Sequence, residues 1–554
     1  LLNTLPGISI DGVYGTPGTN LSYTIRGGRN RHTLILIDGL PVNDPSSIAN
    51  DYDLRLINAH EIEYIEVLKG GASTLYGTNA AAGVINIKLK EPTQESTSTT
   101  FSQEVGSFQS MQTNAEVQGK TGKFNYLAGA SFSISEGISA ATSLDPTQEF
   151  ENDGFHRYTG RTKLVYRPSA SVHLEGNLRY EHLVSDYDGG AFLDQNNQFD
   201  IRQLSVGFSP KWSYTKGELQ LKANYNQIER TFISSFPANE NGYNLQSDVS
   251  NTYVISSRLK TIMGVQFQEF SYDQEDEQPK QRNVDPYLHL SWDVVAGLTL
   301  NGGLRANHNS VYGTQLVYSI NPSYLIELGN DQQLKLFSSY STAFVTPSLF
   351  QLFSSLYGND DLAPEETASV EGGFSLYLSE AFTLNVEYFE RKEQNAIDFV
   401  SLFDDQGNFV GGVYQNIEGE REIQGLEADF SYQLKDGLRF SANYANYQFG
   451  DPSQFFRIPA QKYGASLQYQ LMKNTNVGLV YTHFGERQSP IFTDPFLVTL
   501  ERFNVLDLTF SHSLSSGDLT FNGAVYNLLN EDFIGVYGFS TRPVNFSLGL
   551  TARF

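Results

Sequence analysis

The chain has 554 residues and a formal net charge of −25 at pH 7, which excludes nucleic acid as a partner because phosphate binding needs clustered Lys and Arg. It contains no cysteine, so disulfide scaffolds, thiolate metal sites and cysteine nucleophiles are excluded too. No run approaches the roughly 18 apolar residues of a membrane-spanning helix, while 32 Tyr and 38 Phe favour strands.

Residues 1–92 carry seven Lys/Arg against nine Asp/Glu, so nearly all the acidity lies in the rest of the chain. Leu1 opens inside a motif, and the N-terminus reads as missing rather than naturally short. "RHTLILIDG" (31–39) predicts a buried strand ending in a turn, whereas "EIEYIEVLKG" (61–70) alternates without a clean face. "GGASTLYGTNAAAGVINIK" (70–88) groups small residues ahead of the Val84–Ile87 strand. Together these predict a small mixed α/β domain whose strands are covered on both sides. Gly70, Gly71, Gly77 and Gly83 are expected to supply positive φ or close backbone approach.

From about residue 97 the pattern changes to strict alternation in segments of about ten residues, separated by polar turns. In 123–135, Phe124, Tyr126, Ala128, Ala130, Phe132 and Ile134 share one face, with Leu127 the exception on the other. Leu426, Ala428, Phe430, Tyr432 and Leu434 repeat the pattern against Glu427, Asp429, Ser431 and Gln433, and the last stretch ends Leu548, Leu550, Ala552, Phe554. The turns at 120–123, 434–438 and 514–519 are short and bear Gly or Asp, as tight hairpins require. A soluble sandwich also alternates. Recurrence over the whole remaining chain, with short turns alternating with long polar loops, favours a closed transmembrane barrel, since a sheet spanning lipid must pair every backbone group.

Several motifs then resemble a known family. "YTIRGGRNRHTLILIDGLPVN" with "EIEYIEVLKGGASTLYGTNAAAGVINIK" resembles the plug (hatch) domain of TonB-dependent outer-membrane receptors: Arg26–Gly27, Asp38–Gly39, Ile62 to Gly70, Tyr76–Gly77 and Gly83 to Ile87 match the family pattern. "YSTAFVTPSLFQLF", "YGNDDLAPEETASVEGG", "YQNIEGEREIQGLEADF" and "YNLLNEDF" are similar to its barrel motifs. "LKGGAS" stands where Arg-Gly-Pro is commoner, and "NIKLK" where Asn-Ile-Ile-Thr is.

The resemblance implies an all-β membrane protein: an antiparallel transmembrane barrel of about 22 strands over 93–554, with residues 1–92 as a plug in its lumen. It implies an integral protein of the bacterial outer membrane, set in lipid and lipopolysaccharide, that imports a scarce nutrient. The implied partners are TonB with its inner-membrane motor and, as a further candidate, a surface lipoprotein. The family's TonB-contacting box precedes residue 1. Phe554 resembles the terminal signal read by the barrel-assembly machinery. The size of plug and barrel resembles the cobalamin-transporter branch, with a ferric-siderophore or haem receptor as the alternative and a passive porin as the competing class. No His-Glu-x-x-His, phosphate loop or Gly-x-Ser-x-Gly is present, so a barrel enzyme has no motif to support it.

Arg26, Arg29, Arg31 and Lys69 are expected to meet lumen carboxylates such as Glu427 or Asp429, because a buried unpaired charge is costly. Tyr14, Asp44, Tyr52, Tyr187, Phe192, Tyr357, Phe533, Tyr537 and Phe539 are candidate ligand contacts, although any membrane barrel also carries an aromatic girdle. No cofactor is required by the sequence, but Asp186, Asp188, Asp194, Asn196 and Asp200 make a candidate calcium loop. It departs from the EF-hand at Gly190, and a solvated acidic loop is the plainer alternative. The stretches 183–200, 271–279 and 401–405 are acidic, which favours a neutral, cationic or calcium-bridged ligand.

Overall fold

The computed structural model describes every residue except 1, 146, 274–277, 407–408, 492–495 and 515–516. Part of the acidic stretch 271–279 and of the turn at 514–519 therefore lies outside the described residues.

The first domain is built on a four-stranded sheet in the order Leu40–Pro41, Thr33–Ile37, Gly83–Leu89, Ile62–Lys69. Thr33–Ile37 and Gly83–Leu89 run parallel, and the other pairs are antiparallel. Five successive buried residues in Thr33–Ile37 explain the unbroken apolar run in the sequence, as expected of a strand covered on both faces. Ile62–Lys69 differs from expectation. It is the outer strand, with Tyr64 and Leu68 exposed, which is why its alternation gives no clean face. A one-turn helix, Ser73–Tyr76, precedes Gly83–Leu89, and a hairpin of Ile8–Asp11 with Ser22–Ile25 completes the domain.

Twenty-two antiparallel strands close into a barrel around this domain. The last strand, Asn545–Arg553, pairs with the first, Ser98–Gly106. Phe554 extends the closure: its N–H donates to Thr99 O at 2.8 Å and its carbonyl accepts from Thr99 N at 3.0 Å. Side chains alternate as the sequence predicts. Leu164, Leu178, Tyr180 and Leu426 are exposed outward, while Lys163, Arg179 and Glu427 are buried inward. Leu127, the odd apolar residue of its strand, is fully buried on the inner face. The first domain's last strand ends at Leu89 and the barrel begins at Ser98, so the 92/93 boundary falls in the connection.

Candidate functional site

The small residues after Lys69 let the plug touch the wall. A Cβ on Gly70 would sit 1.9 Å from Glu371 Oε1, and its φ of +84° makes the backbone demand glycine. Gly77 also takes positive φ, whereas Gly71 and Gly83 do not.

The plug cations meet barrel carboxylates on the strands Glu365–Ser379, Phe382–Gln394 and Glu420–Lys435. Arg26, 2 % exposed, reaches Glu371 (3.1 Å), Glu387 (2.8 Å) and Glu427 (3.0 Å), and its guanidinium lies 4.4 Å from the Phe389 ring centre. Lys69 joins Glu427 at 2.5 Å. Arg29 bridges Glu365 (2.8 Å) and Glu393 (3.1 Å), and Arg31 bonds Glu365 at 2.6 Å. His32, missed in the sequence, completes this set. Its Nδ1 accepts from Arg29 N at 3.3 Å, so Nε2 carries the proton and donates to Glu365 Oε2 at 2.6 Å. Burial lowers the His32 pKa, with Glu393 and Glu365 pulling the other way, and the ring is neutral at pH 7. Asp429 takes no part; it accepts from Asn385 on the barrel.

Above the plug lies a cavity of about 760 Å³, open toward the long loops. Four of the nine candidate contacts line it: Tyr14, Tyr52, Tyr187 and Phe539. Tyr14 stands edge-on to Phe484, Phe503 and Phe533, with ring centres 6.1, 5.9 and 5.5 Å away, and burial raises its pKa. Tyr52 is 2 % exposed; its backbone N–H donates to Tyr23 Oη at 3.2 Å, and its own hydroxyl finds no partner among the described residues.

The other five are placed elsewhere. Phe533 stacks behind Tyr14 on Phe503 at 4.0 Å. Phe192 packs on Tyr537 at 5.1 Å in the rim, where Phe192 N donates to Gly538 O. Tyr357 packs against Phe399 in a separate loop cluster with Leu352 and Leu362. Asp44 is buried beneath the cavity, accepting from Ser46 N and Oγ and pairing with Arg230. An aromatic or acid near a loop is drawn to whatever the loop packs on, and for these five that is a neighbour other than the cavity.

Sequence reasoning missed the arginines. Arg55 and Arg230 flank the Phe199 ring at 4.9 and 5.8 Å, and Arg457 and Arg487 line the far side, Arg487 lying 4.7 Å over Phe503. Asp11 shares that side; burial raises its carboxyl to about 6 against the pull of Arg457, Arg487 and Lys462. The cavity is thus mixed in charge. Asp51, Asp53, Asp186, Asp188 and Glu240 line it together with Asp11 and these arginines. The helix Leu349–Phe353 brings Phe350 to the wall; Ser348 caps it by accepting from Gln351 N, and its hydroxyl donates to Ile48 O at the plug apex.

The candidate calcium residues are split. Asp188 and Asp194 gather with Glu151 from a neighbouring loop, one oxygen of each within 4.8 Å of the others. Asp188 also accepts from Ala141 N and Gln195 N. A shared hydrogen bond with Glu151, above all, raises Asp194 to about 6. Asp186 instead accepts from Gln198, Asp200 is held by His182 and Arg202, and Asn196 is exposed. Glu151 lies 35 residues before Asp186 in the chain, so spacing gave no sign of it.

Comparison with known proteins agrees with this architecture. Residues 135–528 match the model of the TonB-dependent receptor-like β-barrel, and residues 1–84 match the TonB-dependent receptor plug domain. The vitamin B12 transporter BtuB of Vibrio cholerae serotype O1 is 24 % identical over 574 positions, covering 100 % of this chain and 89 % of that protein. The siderophore receptor PirA of Acinetobacter baumannii superposes with a TM-score of 0.84 at 17 % identity, covering 100 % of this chain and 95 % of the other. A mutant of the ferric enterobactin receptor PfeA of Pseudomonas aeruginosa, in complex with enterobactin, gives 0.84 at 19 %, covering 100 % and 96 %.

Proposed function

We propose that this chain, which belongs to the TonB-dependent receptor family, imports a cobalamin-like nutrient. The family consists of transporters and receptors of the bacterial outer membrane, not enzymes, and it implies TonB and a small-molecule substrate as partners. The ligand is the proposed part. Its support is the vitamin B12 transporter that aligns over the whole of this chain. The cavity suits it: aromatic faces from Tyr14, Tyr187 and Phe539 offer large apolar contact, and the four arginines of its lining offer donors to amides and to a phosphodiester. The siderophore-receptor likenesses keep a ferric siderophore or haem as the alternative.

Titration of the purified protein with cyanocobalamin, ferric enterobactin and haem tests this. Cyanocobalamin is expected to bind about a hundredfold tighter than the others, ~2.7 kcal/mol. Tighter binding of a ferric siderophore would overturn the ligand assignment and leave the family unaffected.

Calcium at Glu151, Asp188 and Asp194 belongs to the same proposal, because three close carboxylates repel unless a cation or protons neutralise them. So does a surface lipoprotein partner. The hairpin of Ile397–Phe403 and Phe409–Asn416 carries Leu402, Phe403 and Val410 exposed, an apolar surface of the kind that partners cover. Lipopolysaccharide is the proposed lipid of the outer leaflet.

A further inference from the structure

The plug meets two opposite walls of the barrel in different ways. The wall made by Glu365–Ser379, Phe382–Gln394 and Glu420–Lys435 is acidic and holds five plug side chains: Arg26, Arg29, Arg31, His32 and Lys69. Six strands away in one direction and nine in the other, the strands Asp153–Ser169, Val172–Tyr187, Asn197–Tyr214 and Gly217–Ile233 form the facing wall. Its inner side is basic, with Arg157, Arg161, Lys163, Arg179, Lys222 and Arg230 set against Glu175 and Glu181. Here the plug contributes the acids: Asp38 to Lys163 (3.2 Å), Glu61 to Arg179 (3.5 Å) and Asp44 to Arg230.

The cavities follow the basic wall. The ligand bowl reaches it at Ser185, Phe199 and Arg230. Below, an apolar seam closes the way, with Val42, Leu56 and Ile57 of the plug in one cluster with Leu183, Ile201 and Ile228 of the wall. Under the seam a slot runs between Val42 and Asn224. It shares Asp38, Glu175 and Ser209 with a chamber of about 560 Å³ at the short-turn end, which also meets Lys211 and Lys222.

We propose that the ligand crosses the barrel along this basic wall, by parting of the apolar seam, while the plug stays fastened to the acidic wall. The inference rests on the transport reading above. Parting this side breaks three plug–wall ion pairs, yet Lys163 keeps Glu175 and Arg179 keeps Glu181 on the wall, whereas releasing the acidic wall would take from Glu365, Glu371 and Glu427 the plug cations that pair with them. A basic lining also favours passage of a ligand that bears a phosphate or carboxylate group.

The absence of cysteine makes the test direct. A Cβ on Gly71 would lie 3.2 Å from Ser341 Cβ, beside the acidic wall, so Gly71→Cys with Ser341→Cys can be oxidised to a disulfide there. On the other side, Pro45 Cγ lies 3.1 Å from where a Cβ on Gly242 would be, so Pro45→Cys with Gly242→Cys ties the plug beside the basic wall. Uptake and surface binding of radiolabelled cyanocobalamin are measured in cells with each pair oxidised and then reduced. The expected result is uptake unchanged within about twofold for the Gly71–Ser341 tie, and uptake lost but restored by reductant for the Pro45–Gly242 tie, with binding equal in all states. Loss with the first tie, or uptake with the second, overturns the route while the transport reading stands. Absence of uptake by the parent protein overturns the reading and the route together.

Discussion

Arg26 shows how a plug is fixed to the inner wall of a barrel. It is held in a left-handed conformation (φ 47°), uncommon outside glycine, and spends its charge on three carboxylates from three adjacent strands. Arg26→Ala would leave buried Glu427 with Lys69 and take from half-buried Glu371 the arginine that pairs with it; breaking a buried pair from one side costs about 3–5 kcal/mol. Hydrogen exchange should show the plug opening more readily by that amount, while the barrel keeps its heat-modifiable migration. Unchanged plug protection would mean that the Arg29, Arg31 and His32 contacts suffice alone. These cations were legible because a basic residue in an acidic lumen has few places to go. His32 was not, since a lone histidine beside two arginines gives no sign of which carboxylate it will meet.

At the scale of strands, period-two alternation made the wall legible, because lipid and lumen impose opposite chemistry on successive side chains. Phe554 was legible through the resemblance of the last strand to an assembly signal, and the backbone bonds to Thr99 show what it closes. Deleting Phe554 should lower the amount of folded barrel in the membrane several-fold without changing the ligand affinity of what does fold; normal assembly with lost binding would contradict this. Loops carry no such period. Their partners come from distant segments, as Glu151 comes to Asp188 and Asp194, and Tyr357 is drawn to Phe399 instead of the cavity. Calcium should tighten cyanocobalamin binding by ordering the rim beforehand, since Asp188 also anchors Ala141 and Gln195. Glu151→Gln with Asp194→Asn should imitate chelation and abolish its effect, and Asp186→Asn with Asp200→Asn should not. Equal affinity in excess calcium and excess chelator would leave the cluster a solvated acidic surface.

The whole molecule divides into a wall complete in its own hydrogen bonding and a plug held inside by side chains. All twenty-two strands find both neighbours within the barrel, and the closing pair Asn545–Arg553 with Ser98–Gly106 uses no plug residue. The plug's ties to it are ion pairs, the apolar seam and many hydrogen bonds, among them Asn58 Nδ2 to Ser131 Oγ, Thr16 Oγ1 to Asp153 O and Ser348 Oγ to Ile48 O. Removing residues 1–92 therefore deletes no strand-to-strand bond of the barrel, while bonds such as Asn79 N to Phe344 O and Arg542 N to Tyr14 O leave with the plug. It exposes the acidic and basic walls to water, where both charge types can be hydrated. The truncated chain should insert and form an open pore. With nearly all of the chain's −25 charge in the barrel, that pore should prefer cations, since the sign of a pore's charged lining sets which ions it admits. Planar-bilayer recordings of the two forms decide the matter: large, steady conductance in the truncated protein against near-silence in the full chain is expected. Identical traces would mean that the loops, and not the plug, seal the barrel.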